Sequence, residues 1–193
     1  MLEAINISKY YADFSLFEGV SLKLDKGERL ALSGVSGVGK TSLIYILAGL
    51  DDDFSGKVIR KTDHLRVLFQ DLGLFSHKCV RDNILYLLPE KELYEDEYET
   101  WLQVVGLKGC EDMYPYQLSR GMKQKVAIVR SFLARPELIF LDEPFSALDK
   151  ASIDKIVAHI LSKYDQTAMV IASHTKLDAR LCRAVFELEK FKA

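Results

Sequence analysis

Three cysteines in 193 residues, Cys79, Cys110 and Cys182, are too few and too scattered for a disulfide framework or a zinc site. They read as reduced thiols. Excess positive charge is also lacking: 26 Lys and Arg stand against 28 Asp and Glu, a net charge of -2. No basic field is available to displace counterions from a nucleic acid, so no nucleic acid is expected among the partners. Long apolar runs are missing as well. The longest, "SLIYILAGL" (Ser42 to Leu50), falls far short of the ~20 residues that span a bilayer. The N-terminus, "MLEAINISKYY", carries an acid at Glu3 and no apolar block, so it does not read as a signal peptide. A membrane role is therefore expected only through a partner. No internal repeat or low-complexity segment is present. What remains is a chain 49% hydrophobic and 28% charged, sized for one core with a small satellite lobe.

Local patterning then places the elements. Val20, Leu22 and Leu24 alternate with Ser21 and Lys23, as in a strand with one wet face, and "DKGE" (Asp25 to Glu28) reads as a hairpin turn after it. Leu30 to Leu32 form a short continuous apolar run, as a strand covered on both faces does. "RVLF" (Arg66 to Phe69), "LIFL" (Leu138 to Leu141) and "MVIA" (Met169 to Ala172) repeat that pattern with helix-like segments between them. Alternating buried strands and helices predict a largely parallel sheet. The stretch from about Asp71 to Gln117 holds no such strand. It reads as an inserted helical lobe, with Trp101 in its core and the acidic run before it as a solvated helix face.

The most informative segment is "GVSGVGKTS", Gly34, Val35, Ser36, Gly37, Val38, Gly39, Lys40, Thr41 and Ser42. It fits G-x-x-x-x-G-K-[ST] and lies between a predicted buried strand and a predicted helix. Glycines let consecutive backbone N–H groups turn inward toward phosphate oxygens, and the helix adds its positive end. Lys40 brings a full charge to the outer phosphates and the Thr41 hydroxyl can hold Mg2+. The chain is thus expected to bind a nucleoside triphosphate. Further on, "LIFLDEP" ends a buried strand in Asp142 and Glu143. The first carboxylate suits Mg2+ opposite Thr41; the second suits orienting or deprotonating an attacking water.

Over "YQLSRGMKQKVAIVRSFLARPELIFLDEPFSALD" (Tyr116 to Asp149) the sequence resembles the nucleotide-binding subunit of ATP-binding cassette (ABC) transporters, and the resemblance covers nearly the whole chain. "LSRGMKQ" is similar to the signature motif, "SALD" to the D-loop, "LFQD" to the Q-loop and "ASH" to the switch-histidine segment. The implied fold is α/β: a P-loop NTPase core with a mostly parallel sheet, an N-terminal antiparallel β region and an inserted α-helical subdomain. One domain is implied over 1–193, with a RecA-like core over about 1–70 and 125–193 and the helical subdomain over about 71–124.

Under that resemblance the ligands are ATP and Mg2+. Tyr11, or its neighbour Tyr10, stacks on adenine. Gln70 reaches the metal and senses the terminal phosphate; His174 holds that phosphate and the attacking water with Glu143. Ser119 and Gly121 donate to the phosphate of a second copy or a homologous subunit, head to tail, and Asp149 lies at that seam. The implied activity is ATP hydrolysis driving solute through an integral membrane permease, with importers the better match. The chain is then cytoplasmic and peripheral on the inner face of the membrane. Phe75 either packs within the lobe or lines a groove for the permease. Two residues depart from the pattern: Arg120 stands where the signature most often has glycine, and Thr175 follows the histidine where an acid is usual. An ATP-gated clamp in a non-transport complex fits the same parts. A nucleotide kinase leaves the signature, Gln70 and His174 unexplained.

Overall fold

The computed structural model describes residues 1–12, 14–173, 180–182 and 184–192. It packs as two compact units, one of residues 1–67, 137–143 and 166–193, the other of residues 68–136 and 144–165.

In the first unit, β1 (Leu2–Tyr11) and β2 (Phe14–Leu24) pair antiparallel, and β1 pairs on its other edge with β4 (Ser55–Arg60). In β2 the alternation is as read: Val20, Leu22 and Leu24 are buried while Ser21 and Lys23 are exposed. β3 (Arg29–Ser33) follows β2 after one turn, closed by the Glu28 N–H donating to the Asp25 carbonyl at 3.1 Å. That turn is not a hairpin. β3 leaves the antiparallel sheet and pairs in parallel with β7 (Ala168–Ala172) and β8 (Ala184–Glu187). The local turn chemistry was read correctly; the partner of the next strand is set by burial, because β3 is apolar on both faces and needs cover on both.

Among the described residues the larger sheet runs β5 (Leu65–Leu68), β6 (Leu138–Asp142), β7, β3, β8. β6 and β7 pair in parallel, and every residue of both is buried. α1 (Lys40–Ala48) contacts β6 and β7. It stops at Gly49, whose left-handed backbone closes the last turn.

The second unit is helical among its described residues after the end of β5: α2 (Val80–Leu85), α3 (Glu95–Val105), α4 (Arg120–Leu133) and α5 (Lys150–Lys163). α4 contacts α2 and α3, and α3 contacts α5. Tyr98, Trp101 and Phe132 are fully buried there. The acidic run sits at the start of α3, where Glu95, Asp96 and Glu97 meet the positive end of the helix. Glu97 is more than a solvated acid. It accepts from the Tyr164 hydroxyl at 2.6 Å and from Arg135 Nε at 2.8 Å, while Trp101 Nε1 donates to that hydroxyl at 2.9 Å. Among the described residues no helix is long and apolar enough to cross a membrane.

Candidate functional site

The loop between β3 and α1 has three glycines at positive φ, Gly34 (149°), Gly37 (79°) and Gly39 (103°). At Gly39 nothing larger fits. A Cβ there would lie 2.8 Å from Leu16 Cδ2 and 2.9 Å from Phe17 Cδ1, and the left-handed backbone disfavours any side chain. The loop therefore turns tightly into α1 and leaves its N–H groups near the positive helix end. Lys40, largely buried, curls back over the loop and donates to the carbonyls of Gly34 at 2.6 Å and Val35 at 3.1 Å. Burial holds its ammonium below the ordinary lysine pKa, against the opposing pull of Glu143, Asp142 and Glu189. Glu189, which sequence reasoning did not single out, accepts from the Val35 N–H at 2.6 Å.

The end of β6 delivers the carboxylates. The Thr41 hydroxyl donates to Asp142 Oδ2 at 2.7 Å, joining the first turn of α1 to a strand 101 residues away in sequence. Two hard oxygen donors in contact beside a phosphate loop are a donor set that fits Mg2+, which takes a few protein oxygens and completes its shell from phosphate and water. The next residue, Glu143, is 9% exposed and has φ of 51°, a left-handed backbone on a residue with a full side chain. Its N–H donates to the Ala172 carbonyl at 2.9 Å, which fixes that conformation, and Oε2 lies 3.5 Å from the Ser173 hydroxyl. Strain of this kind concentrates at functional positions.

Tyr11 and Tyr10 point to different faces of β1, and the structure distinguishes them. Tyr11 is half exposed and its hydroxyl lies 3.5 Å from Ser42 Oγ on α1. Tyr11 thus stands beside the helix that carries the phosphate loop, and no such contact is described for Tyr10.

In the second unit, Gln70 is exposed just past β5. Ser119 caps α4: its Oγ accepts from the Met122 N–H at 3.2 Å. Gly121 meets a close approach, since a Cβ there would lie 2.9 Å from the Ala147 carbonyl. Asp149 caps α5 through the Ser152 N–H at 2.9 Å and the Ser152 hydroxyl at 2.8 Å. Those hydrogen bonds hold its carboxyl below the usual carboxylate range. Phe75 is half-buried, with its ring edge-on to Tyr86 at 5.7 Å. His174 and Thr175 lie outside the described residues.

Known proteins are similar to this chain in sequence and fold. The pattern of a family described as "ABC transporter" matches residues 17–146. The aliphatic sulfonates import ATP-binding protein of Bacillus cereus is 35% identical over 189 residues, covering 90% of this chain and 75% of that protein. The spermidine/putrescine import ATP-binding protein of Spiroplasma citri is 34% identical over 195 residues, covering 93% of this chain and 56% of that protein. Among solved structures, an ATP binding subunit of an ABC transporter superposes with a TM-score of 0.85 at 27% identity, covering 97% of this chain and 86% of that one.

Proposed function

The chain belongs to the ABC transporter family, and on that premise we propose that it is the ATP-hydrolysing subunit of a transporter whose permease is a separate membrane chain. One observation supports this most: within one unit, the glycine loop, the Thr41–Asp142 pair and the strained Glu143 stand together. In the reaction, Lys40 and the loop N–H groups from Gly34 to Ser42 hold the triphosphate. Mg2+, held by Thr41 and Asp142, would neutralise phosphate charge. The Glu143 carboxylate takes the proton of a water whose oxygen attacks the terminal phosphorus, and ADP leaves with its bridging oxygen. Tyr11 supplies the base platform. Gln70 and His174 complete the terminal-phosphate contacts.

Ser119 and Gly121 act on the nucleotide of a facing subunit, with Asp149 at the seam, so two subunits enclose two ATP molecules. The core over about 1–70 and 125–193 then does the chemistry, and the helical part over about 71–124 meets the permease. The relatives named above import a sulfonate and a polyamine at nearly equal similarity to this chain. Solute choice is accordingly assigned to the permease, and the chain to the cytoplasmic face of the membrane beneath it.

Glu143→Gln tests the reading. With ATP and Mg2+ the variant should lose turnover by about a hundredfold to ten-thousandfold while its mass in solution doubles with two ATP bound. Wild-type turnover removes Glu143 from the chemistry, and an ATP-loaded monomer removes the paired-subunit arrangement. Mild-detergent purification of the native complex should bring down a polytopic membrane protein; a soluble partner in its place would favour the clamp.

A further inference from the structure

Lys9 is a buried cation that the proposed chemistry does not use. It lies in β1 two residues before Tyr11, on the same face of the strand, and is 2% exposed. Lysine is almost never buried unless paired. Here Nζ donates to the Asp53 carbonyl at 2.5 Å, to Asp51 Oδ1 at 3.1 Å and to Asp53 Oδ2 at 3.2 Å, with Asp51 Oδ2 at 2.9 Å. Burial of the ammonium lowers its pKa, but the hydrogen bonds and charges of both aspartates outweigh burial and the net shift is upward. Asp51 and Asp53 belong to the segment leaving α1, and the Asp53 N–H donates back to Asp51 Oδ1 at 2.9 Å. The same ammonium lies over the Tyr11 ring, 5.0 Å from its centroid, within cation–π range. Tyr11 is still 52% exposed, so ring surface remains open to a base.

We propose that Lys9 is a positioning residue for adenine binding: it ties the strand carrying Tyr11 to the segment leaving the phosphate-loop helix and braces one face of the Tyr11 ring. This rests on Tyr11 being the base platform. A nucleotide must reach from that ring to the loop at Gly34–Thr41 at once, so a fixed distance between β1 and α1 removes ordering that ATP would otherwise have to impose on binding. Lys9 then sets how much the base contributes to affinity and leaves phosphate binding alone.

The test measures affinities for ATP and for inorganic tripolyphosphate in the full chain and in Lys9→Met, Lys9→Arg, Tyr11→Ala and the Lys9→Met/Tyr11→Ala pair. Base stacking is worth about 1–3 kcal/mol, so Tyr11→Ala should weaken ATP roughly fivefold to a hundredfold. Lys9→Met should weaken ATP about threefold to tenfold, leave tripolyphosphate unchanged, and add nothing on top of Tyr11→Ala. Lys9→Arg should recover most of the loss. Where Lys9→Met fails to fold, Asp53→Asn loosens the same tether from a side chain 91% exposed and should show the same ligand selectivity at smaller size. Equal weakening of ATP and tripolyphosphate, or full additivity with Tyr11→Ala, makes Lys9 an ordinary structural ion pair and overturns the proposal. Unchanged ATP affinity in Tyr11→Ala instead removes the platform itself, a result the Lys9 variants cannot imitate.

Discussion

The two units bury different kinds of polar side chain. In the first, the buried polar groups include four charges: Lys9, Lys40, Asp142 and Glu143. In the second, the described ones are neutral: Asn83, Gln124 and Ser131. Burying a charge costs far more than burying an amide or hydroxyl, so each buried charge needs a compensating role. In the first unit Lys40 lies on the glycine loop, Asp142 and Glu143 at the end of β6, and Lys9 over the Tyr11 ring. The neutral groups of the second unit serve its own backbone. Asn83 Oδ1 accepts from the Phe75 N–H at 2.8 Å, and its Nδ2 donates to the carbonyls of Phe75, Lys78 and Cys79. Gln124 Nε2 donates to the Pro144 carbonyl at 2.8 Å and Ser131 to the Ala127 carbonyl. On the proposed function, the difference teaches that buried charge marks where a ligand is handled and buried amides mark where loops are held.

If that contrast is sound, substitution in the first unit should separate activity from stability. Lys40→Ala should lower ATP turnover by about a hundredfold to a thousandfold, as loss of one charged phosphate donor does. Chemical denaturation should find stability within about 1 kcal/mol of wild type, because two hydrogen bonds to loop carbonyls are lost together with a desolvated ammonium. Wild-type turnover would remove the phosphate-loop assignment. A large stability loss would instead make Lys40 a structural residue and break the contrast.

The reverse behaviour is expected of Asn83→Ala. It strips the hydrogen-bond partner from one N–H and three carbonyls of the segment 75–79. Water can reach part of that segment, so the expected loss is about 2 kcal/mol, with affinity for ATP unchanged. Denaturation midpoints and nucleotide titration on one preparation check both halves. A loss of ATP affinity without loss of stability would place Asn83 among the ligand-handling residues and blur the comparison.

Legibility in the sequence divides along a similar line. The glycine loop between β3 and α1 could be read because its residue types stand at fixed local spacing, and β3, β6 and β7 because a strand covered on both faces has to be apolar throughout. Trp101 could be read as core from its apolar neighbours. The role of "DKGE" could not, since a turn's residues fix its geometry and say nothing about which sheet the next strand joins. Lys9 was hidden for a related reason. An isolated lysine in a strand reads as solvated, and the carboxylates that allow its burial stand 42 and 44 residues away. The alternation with the buried Ile7 two residues earlier was the available signal. Glu189 meets Val35 across 154 residues and had no local signature. The motif resemblances at Ser119 and Asp149 also concealed that both residues cap helices, a use separate from the proposed one.

That second use makes Ser119 the finest test of the comparison. As the cap of α4 it holds one backbone N–H, and replacing such a cap by alanine costs about 1 kcal/mol. As a donor to a facing subunit's phosphate it should affect turnover only when two subunits meet. Ser119→Ala and Ser119→Asp separate the two uses. Aspartate caps a helix as well as serine does, but it sets a negative charge against phosphate. Alanine should lose about 1 kcal/mol of stability with a moderate fall in turnover; aspartate should keep stability and lose turnover by a larger factor. The Glu143→Gln background adds a readout that capping alone cannot move, because ATP-driven pairing should weaken in Ser119→Asp at unchanged midpoint. If both variants track stability alone, the hydroxyl is a cap and nothing more, and the second unit handles no phosphate at this position.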